Sequence, residues 1–163
     1  MSREQFSAAE ARPGRVIVGR LLPGADLIHG LEEVCKEHGV RYAAVNFAYG
    51  SLSRASFKRL NIPKGESRAV LTPMKLDKRV EFLAGQGLVC DGSDGGRDTH
   101  LHGCVSDETG QVVGGHFVPG ENPIYNNLDF TLHELIGVRL TRRFDEATQT
   151  VEMEVEQLET AAP

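Results

Sequence analysis

The chain has 163 residues, 40% of them hydrophobic and 25% charged, with eighteen glycines; this is the length and composition of one globular domain rich in turns. A net charge of −5 excludes a nucleic-acid-binding surface spread over the whole chain. The balance is uneven, with nine Lys/Arg against six Asp/Glu in residues 1–60 and nine against seventeen thereafter, so a local basic patch around Arg54, Lys58 and Arg59 stays open beside the plainer reading of a solvated polar face.

In chain order, residues 1–14 read as a disordered lead-in without the apolar stretch of a signal peptide, ending at Pro13-Gly14. Arg15–Leu22 reads as a strand closed by the Pro23-Gly24 turn. A helix is expected over Ala25–His38, where Leu27, Ile28, Leu31, Val34 and Cys35 form one stripe at helical period, Asp26 sits in the first turn and Gly39 supplies the stop. Gly30 inside it is unfavourable for a helix and hints at close packing. Strands are expected over Tyr42–Phe47, Leu52–Leu60, Ala69–Met74 and Val80–Cys90, then a mobile glycine-rich loop over Asp91–Asp98. A hairpin follows over His100–Val118, then a loop over Pro119–Asn127. Leu128, Phe130 and Leu132 alternate with polar residues as a half-buried strand. The last strand sets Val151, Met153 and Val155 against Glu152, Glu154 and Glu156. One helix and about eight strands make an α+β fold in which a largely antiparallel sheet buries one face under the helix. One folded domain over 15–158 with a short tail over 159–163 is the expected organisation.

Cys35, Cys90 and Cys104 are odd in number and show no C-x-x-C spacing; they read as reduced thiols of a cytoplasmic protein. No apolar run approaches the roughly 18–20 residues that span a bilayer, so no membrane partner is expected.

Chemistry concentrates in His100-Leu101-His102 and Gly114-Gly115-His116. His100 and His102 are two apart on an expected strand and leave the same face. If Glu108, Thr109 and Gly110 form a three-residue turn with Gly110 in the left-handed region, Asp107 pairs with Gln111 and His102 stands directly opposite His116. Directly opposed Cβ atoms lie about 4.5–5.5 Å apart, and His100 is one diagonal step away. Three imidazoles then converge, each able to reach a metal at the roughly 2.0–2.1 Å of a Zn–N bond. A one-residue slip would send His116 to the other face; the alternative is a set of histidines merely hydrogen-bonded along a strand. Three nitrogen ligands leave a coordination position for water or a carboxylate, the layout of a catalytic or ligand-binding site. Zinc is the first choice of divalent cation, because three imidazoles suit it and no carboxylate stands within the motif; nickel, copper and iron stay open. Cys104 shares the parity of the histidines but reads as packing.

The run from His100 to His116 with its Ser106-Asp107-Glu108-Thr109-Gly110 turn, together with Arg20–Leu27, Asn46–Leu52 and Arg139…Arg143-Phe144-Asp145, resembles bacterial proteins of the plant and prokaryote conserved (PPC) domain family over roughly Arg15 to Leu158. The resemblance implies a compact α+β domain, a homotrimer, and a metal held by His100, His102 and His116. It also implies a DNA-associated or regulatory role, which in plant members accompanies an Arg-Gly-Arg-Pro AT-hook; this sequence has Arg12-Pro13-Gly14-Arg15 in its place, without the mechanism by which a hook enters the minor groove.

Elsewhere the motifs are weaker. Gly85-Gln86-Gly87 lacks the third glycine of a dinucleotide fingerprint and reads as a bulged strand. Arg139, Arg142 and Arg143 with Glu134 read as an inter-subunit ion-pair network, with an anionic-ligand pocket as the alternative. His29, His38 and His133 are expected at the surface. Two functions from different classes follow: a trimeric PPC-domain protein with a DNA-associated role, and a metal-dependent enzyme or small-molecule binder at His100, His102 and His116.

Overall fold

A computed structural model describes residues 6–62, 64–65 and 70–159. Residues 1–5 of the expected lead-in, Ala69 of an expected strand and residues 160–163 of the expected tail lie outside that range.

The apolar stripe folds as expected into α1, Leu27–Glu37, with Leu27, Ile28, Leu31 and Cys35 buried. Asp26 is the N-cap rather than a first-turn residue: its carboxylate accepts from the backbone N–H of Ile28 and His29, filling donors that a helix start leaves without partners. Its other oxygen accepts from Asn122 N–H at 2.9 Å, which ties the helix start to the segment before the ninth strand. Gly30 does mark close packing, since a Cβ there would lie 2.8 Å from a methyl carbon of Leu21.

The strands in chain order are β1 Arg12–Leu21, β2 Ala43–Leu52, β3 Ala55–Asn61, β4 Val70–Leu76, β5 Val80–Val89, β6 Asp91–Gly92, β7 His100–Ser106, β8 Val112–Phe117, β9 Ile124–Ile136, β10 Val138–Asp145 and β11 Thr150–Gln157. Eight form one sheet in the order β1-β9-β2-β5-β7-β8-β3-β4, and β11-β10-β6 form a second. Every pairing in the large sheet is antiparallel; β10 with β6 is the parallel exception in the small one. The expected α+β class with a largely antiparallel sheet and a flanking helix is the observed one.

Several boundaries differ for physical reasons. β2 runs on through Leu52 before the chain turns at Ser53 and Arg54. β9 starts at Ile124, inside the expected loop, because Asn122 is fully buried and anchors the segment: its Oδ1 accepts from Ser56 N–H at 2.7 Å and its Nδ2 donates to Val118 O at 2.6 Å. β10 was hidden by Arg139, Arg142 and Arg143, which break the visible alternation. The glycine-rich loop is tied down at both ends. Asp91, 7% exposed, accepts from Tyr42 Oη and Arg41 Nε; Asp98 N–H donates to Cys90 O, and Arg97 Nη2 donates to Val40 O.

The main core joins Leu27, Ile28, Leu31 and Cys35 of α1 to Leu101, Val105, Phe57, Phe82 and Phe117 of the large sheet. Phe117 stacks obliquely on Phe57 and edge-on to Phe82, with ring centroids 5.4 and 5.2 Å apart. A smaller cluster of Tyr42, Cys90, Val138 and Leu140 joins the two sheets. Among the described residues no helix is long and apolar enough to cross a membrane.

Candidate metal centre

Side chains alternate along a strand, so with Leu101 and Val105 in the core under α1, His100 and His102 project from the opposite face of β7. The β7–β8 turn forms as its residues dictate. Gly110 takes φ of 81°, a left-handed value that only glycine adopts freely. Asp107 N–H donates to Gln111 O, and the Asp107 carboxylate accepts from the backbone N–H of Thr109 and Gln111. This register puts His102 directly opposite His116. Glycines precede His116 for lack of room: a Cβ on Gly114 would fall 2.1 Å from Gly103 O, and one on Gly115 2.3 Å from Lys58 O.

The three rings meet with centroids 4.8 Å (His100–His102), 4.7 Å (His100–His116) and 5.3 Å (His102–His116) apart. One nitrogen from each lies within 4.8 Å of the others, and the group contains no carboxylate or thiol. Side-chain rotation can shorten this to the roughly 3.4 Å that separates two nitrogens on one tetrahedral zinc. The donor set therefore fits a divalent cation of borderline softness. Burial holds His100 at a pKa of about 4, helped by the charge of Arg142 and by His102. Burial likewise holds His116 at about 4, with His100, His102, Arg142 and Lys58 adding to it. His102, the most exposed of the three, is lowered by burial and by Arg142. All three imidazoles are neutral at pH 7, the protonation state a metal ligand needs.

The surroundings were not legible in the sequence. The register across four strands sets Gln86, His102, His116 and Lys58 in one row, since Gln86 pairs with His102 and Lys58 with His116. From the small sheet Arg142, 5% exposed, reaches His100, its Nη1 2.6 Å from Nδ1. Thr99, next to His100, is held by Glu32 of α1 through a 2.7 Å hydrogen bond from its hydroxyl.

Within one chain Arg139, Arg142 and Arg143 do not gather around Glu134. Glu134 pairs with Arg15 at 2.8 Å. Arg139 and Arg143 point to the other side of β10, towards Glu156 and Glu154, and Arg142 alone faces the histidines. Cys104 is half-buried and outside the histidine group, in keeping with a packing role. His29 and His38 are exposed as expected, whereas His133 is half-buried, 3.3 Å from Asn46 Nδ2.

Comparison with known proteins adds context. The family model described as the Plants and Prokaryotes Conserved (PCC) domain matches residues 8–136. Two curated relatives from Synechococcus strains, each named bifunctional protein GlmU, are 34% and 35% identical over 96% and 84% of this chain. The chain spans about a quarter of the length of the first and a fifth of the second (24% and 20%). Among solved structures, a plant- and prokaryote-conserved protein from Pyrococcus horikoshii superposes with a TM-score of 0.75 at 22% identity, over 95% of this chain and all of that one. A protein from Archaeoglobus fulgidus described as metal-containing gives 0.76 at 25% identity, over 94% of this chain and all of that one. One from Ralstonia eutropha, named as a candidate DNA-binding protein, gives 0.69 at 21% identity over 84% and 89%.

Proposed function

The chain belongs to the Plants and Prokaryotes Conserved domain family, and we propose that within it the chain is a metal-binding module whose His100, His102 and His116 hold one divalent cation, zinc by preference. The observation that carries this reading is the convergence of three neutral imidazoles on one sheet face with no competing carboxylate. The metal-containing description of the Archaeoglobus protein supports it. A cation on three nitrogens keeps a position open, where it acts as a Lewis acid or lowers the pKa of bound water. This supports use of the site as a small-molecule-binding or catalytic centre. In this reading His102 and His116 supply opposed ligands across one hairpin, and His100, on the strand of His102, closes the triangle.

The test is the metal content of protein purified without chelator or histidine tag, with its melting temperature before and after added zinc. About one metal per chain and a raised melting temperature are expected; no metal and no response to zinc would reduce the histidines to neighbours.

A homotrimer within the cytoplasm completes the proposal. Exposed apolar residues support it, Val16, Val18, Phe47 and Tyr49 on β1 and β2 and Phe144, Val151 and Met153 on β10 and β11, since closed cyclic assembly covers such surface. The free cysteines suit a reducing compartment. Light scattering coupled to size exclusion would read three times 17.8 kDa; a monomer mass at micromolar concentration would sink the trimer. The name borne by the Ralstonia protein favours a second, DNA-associated regulatory reading, in which the net charge of −5 allows only weak, sequence-indifferent contact.

A further inference from the structure

Arg142 is a buried cation whose ion pair, with the partly exposed Asp98, leaves its hydrogen-bond donors incompletely filled. At 5% exposure it has lost its hydration, and an arginine so placed normally has its donors filled and its charge matched by a carboxylate. Here its Nε makes no hydrogen bond, although Asp98 Oδ1 lies 3.3 Å away out of alignment. Nη2 has a long 3.4 Å contact to Val151 O. The short contact is from Nη1 to His100 Nδ1, at 2.6 Å.

That last contact conflicts with metal binding. A neutral imidazole carries one lone pair, on whichever nitrogen lacks the proton. If Arg142 donates to Nδ1, the proton sits on Nε2 and His100 has nothing left for a cation. If a cation takes either nitrogen, Nη1 loses its acceptor. A loaded site therefore leaves a desolvated guanidinium with open donors at Nε and Nη1 directly beside a dication. The charge is unbalanced as well. Three neutral histidines bring none, Lys58 adds a second positive side chain in the row beyond His116, and the acidic groups near His100 are Asp98 and Glu152. Asp98 is 38% exposed at its side chain, and Glu152 is exposed and engaged with Thr150.

One kind of ligand resolves both conflicts. We infer that the metal-loaded site binds a small oxyanion, a carboxylate or a phosphate, with one oxygen at the open metal position and another on the guanidinium of Arg142, Lys58 contributing at longer range. Guanidinium is suited to this, because its planar fork matches two oxygens of either group. The inference rests on the three-histidine reading and names the ligand class that site takes. It also assigns the anionic-ligand role to Arg142 alone, because Arg139 and Arg143 face away with their own glutamates.

The experiment uses protein stripped of metal and reloaded with cobalt(II), whose visible spectrum reports coordination, titrated with acetate or inorganic phosphate against chloride at constant ionic strength. A saturable spectral change with one anion is expected, and whichever gives it identifies the class. Arg142→Met should take up cobalt but bind the anion at least about tenfold more weakly, the loss expected for a charge-assisted pair; Lys58→Met should weaken it by roughly threefold. A spectrum unmoved by both anions, or wild-type anion affinity in Arg142→Met, overturns the inference while the metal reading stands. Failure to take up cobalt overturns both. Should Arg142→Met not fold, wild-type protein labelled with 15N-arginine and loaded with zinc answers alone: the Arg142 Nε–H signal moves when the anion is added, and a stationary signal overturns the inference.

Discussion

The two faces of β7 differ sharply in burial and in chemistry. Towards α1, Leu101 and Val105 are 0% exposed and packed among aromatic rings. On the other face, one residue to either side, His100 and His102 stand half-buried and exposed, with Arg142 arriving from a second sheet. One strand thus carries core packing on one face and the candidate ligands on the other. Its backbone hydrogen bonds serve both faces, so in the proposed site the histidines would be held by a rigid element.

The sharpest way to break that comparison is to mutate across it. Leu101→Ala should destabilise the fold by about 3 kcal/mol, through lost burial and the cavity left in a packed core. Denaturant unfolding measures this, and a change below about 1 kcal/mol would mean that the face under α1 is not the stabilising one.

Between about pH 6.5 and 4, acid should act on the opposite face. The folded protein holds His100 and His116 at about 4, whereas the unfolded chain takes up protons near 6.5. The stability these residues contribute is therefore complete above about pH 6.5 and is lost as pH falls towards 4. The loss should be on the order of 2 kcal/mol for the pair in metal-free protein, after allowance for partial exposure. Replacing both with Gln should flatten this part of a stability–pH profile; an unchanged slope would place the acid sensitivity elsewhere.

His102→Ala sharpens the contrast. Removing an exposed side chain should change metal-free stability by no more than about 0.5 kcal/mol. Yet it should abolish metal uptake and with it the zinc stabilisation, which for wild type is about 2.7 kcal/mol at a hundredfold excess over Kd. Chemical denaturation with and without zinc reads both effects, and an unfolded variant would show that the site is structural. The smallest effect is expected with DNA. Gel shifts on A·T-rich duplex should show at most weak, salt-sensitive binding, because a chain of net charge −5 has few cations to replace phosphate counterions. Nanomolar, salt-resistant binding would favour the DNA reading over the metal one.

Much of this was legible in the residues. The stripe of α1 follows from helical period, and the pairing of His102 with His116 from Asp107 and Gly110, because a short turn sets the register of both strands it joins. Strands whose polar residues mask their alternation were not legible: β10 carries Arg139, Arg142 and Arg143 within eight residues and gives no period-two signal. Asp91 looked like part of a free loop because its partners, Arg41 and Tyr42, lie far back in the chain.

By itself, then, the sequence determined the fold class, the hairpin and the three histidines on one face. Each depends on residues close enough along the chain for local geometry to connect them. The tertiary structure alone decided what surrounds the histidines. Lys58 comes beside His116 through the pairing of β3 with β8, and Arg142 comes against His100 through the pairing of β10 with β6. No turn links those strands. Their registers are set by how two sheets bury their apolar residues together, a balance spread over the whole core that no local pattern records.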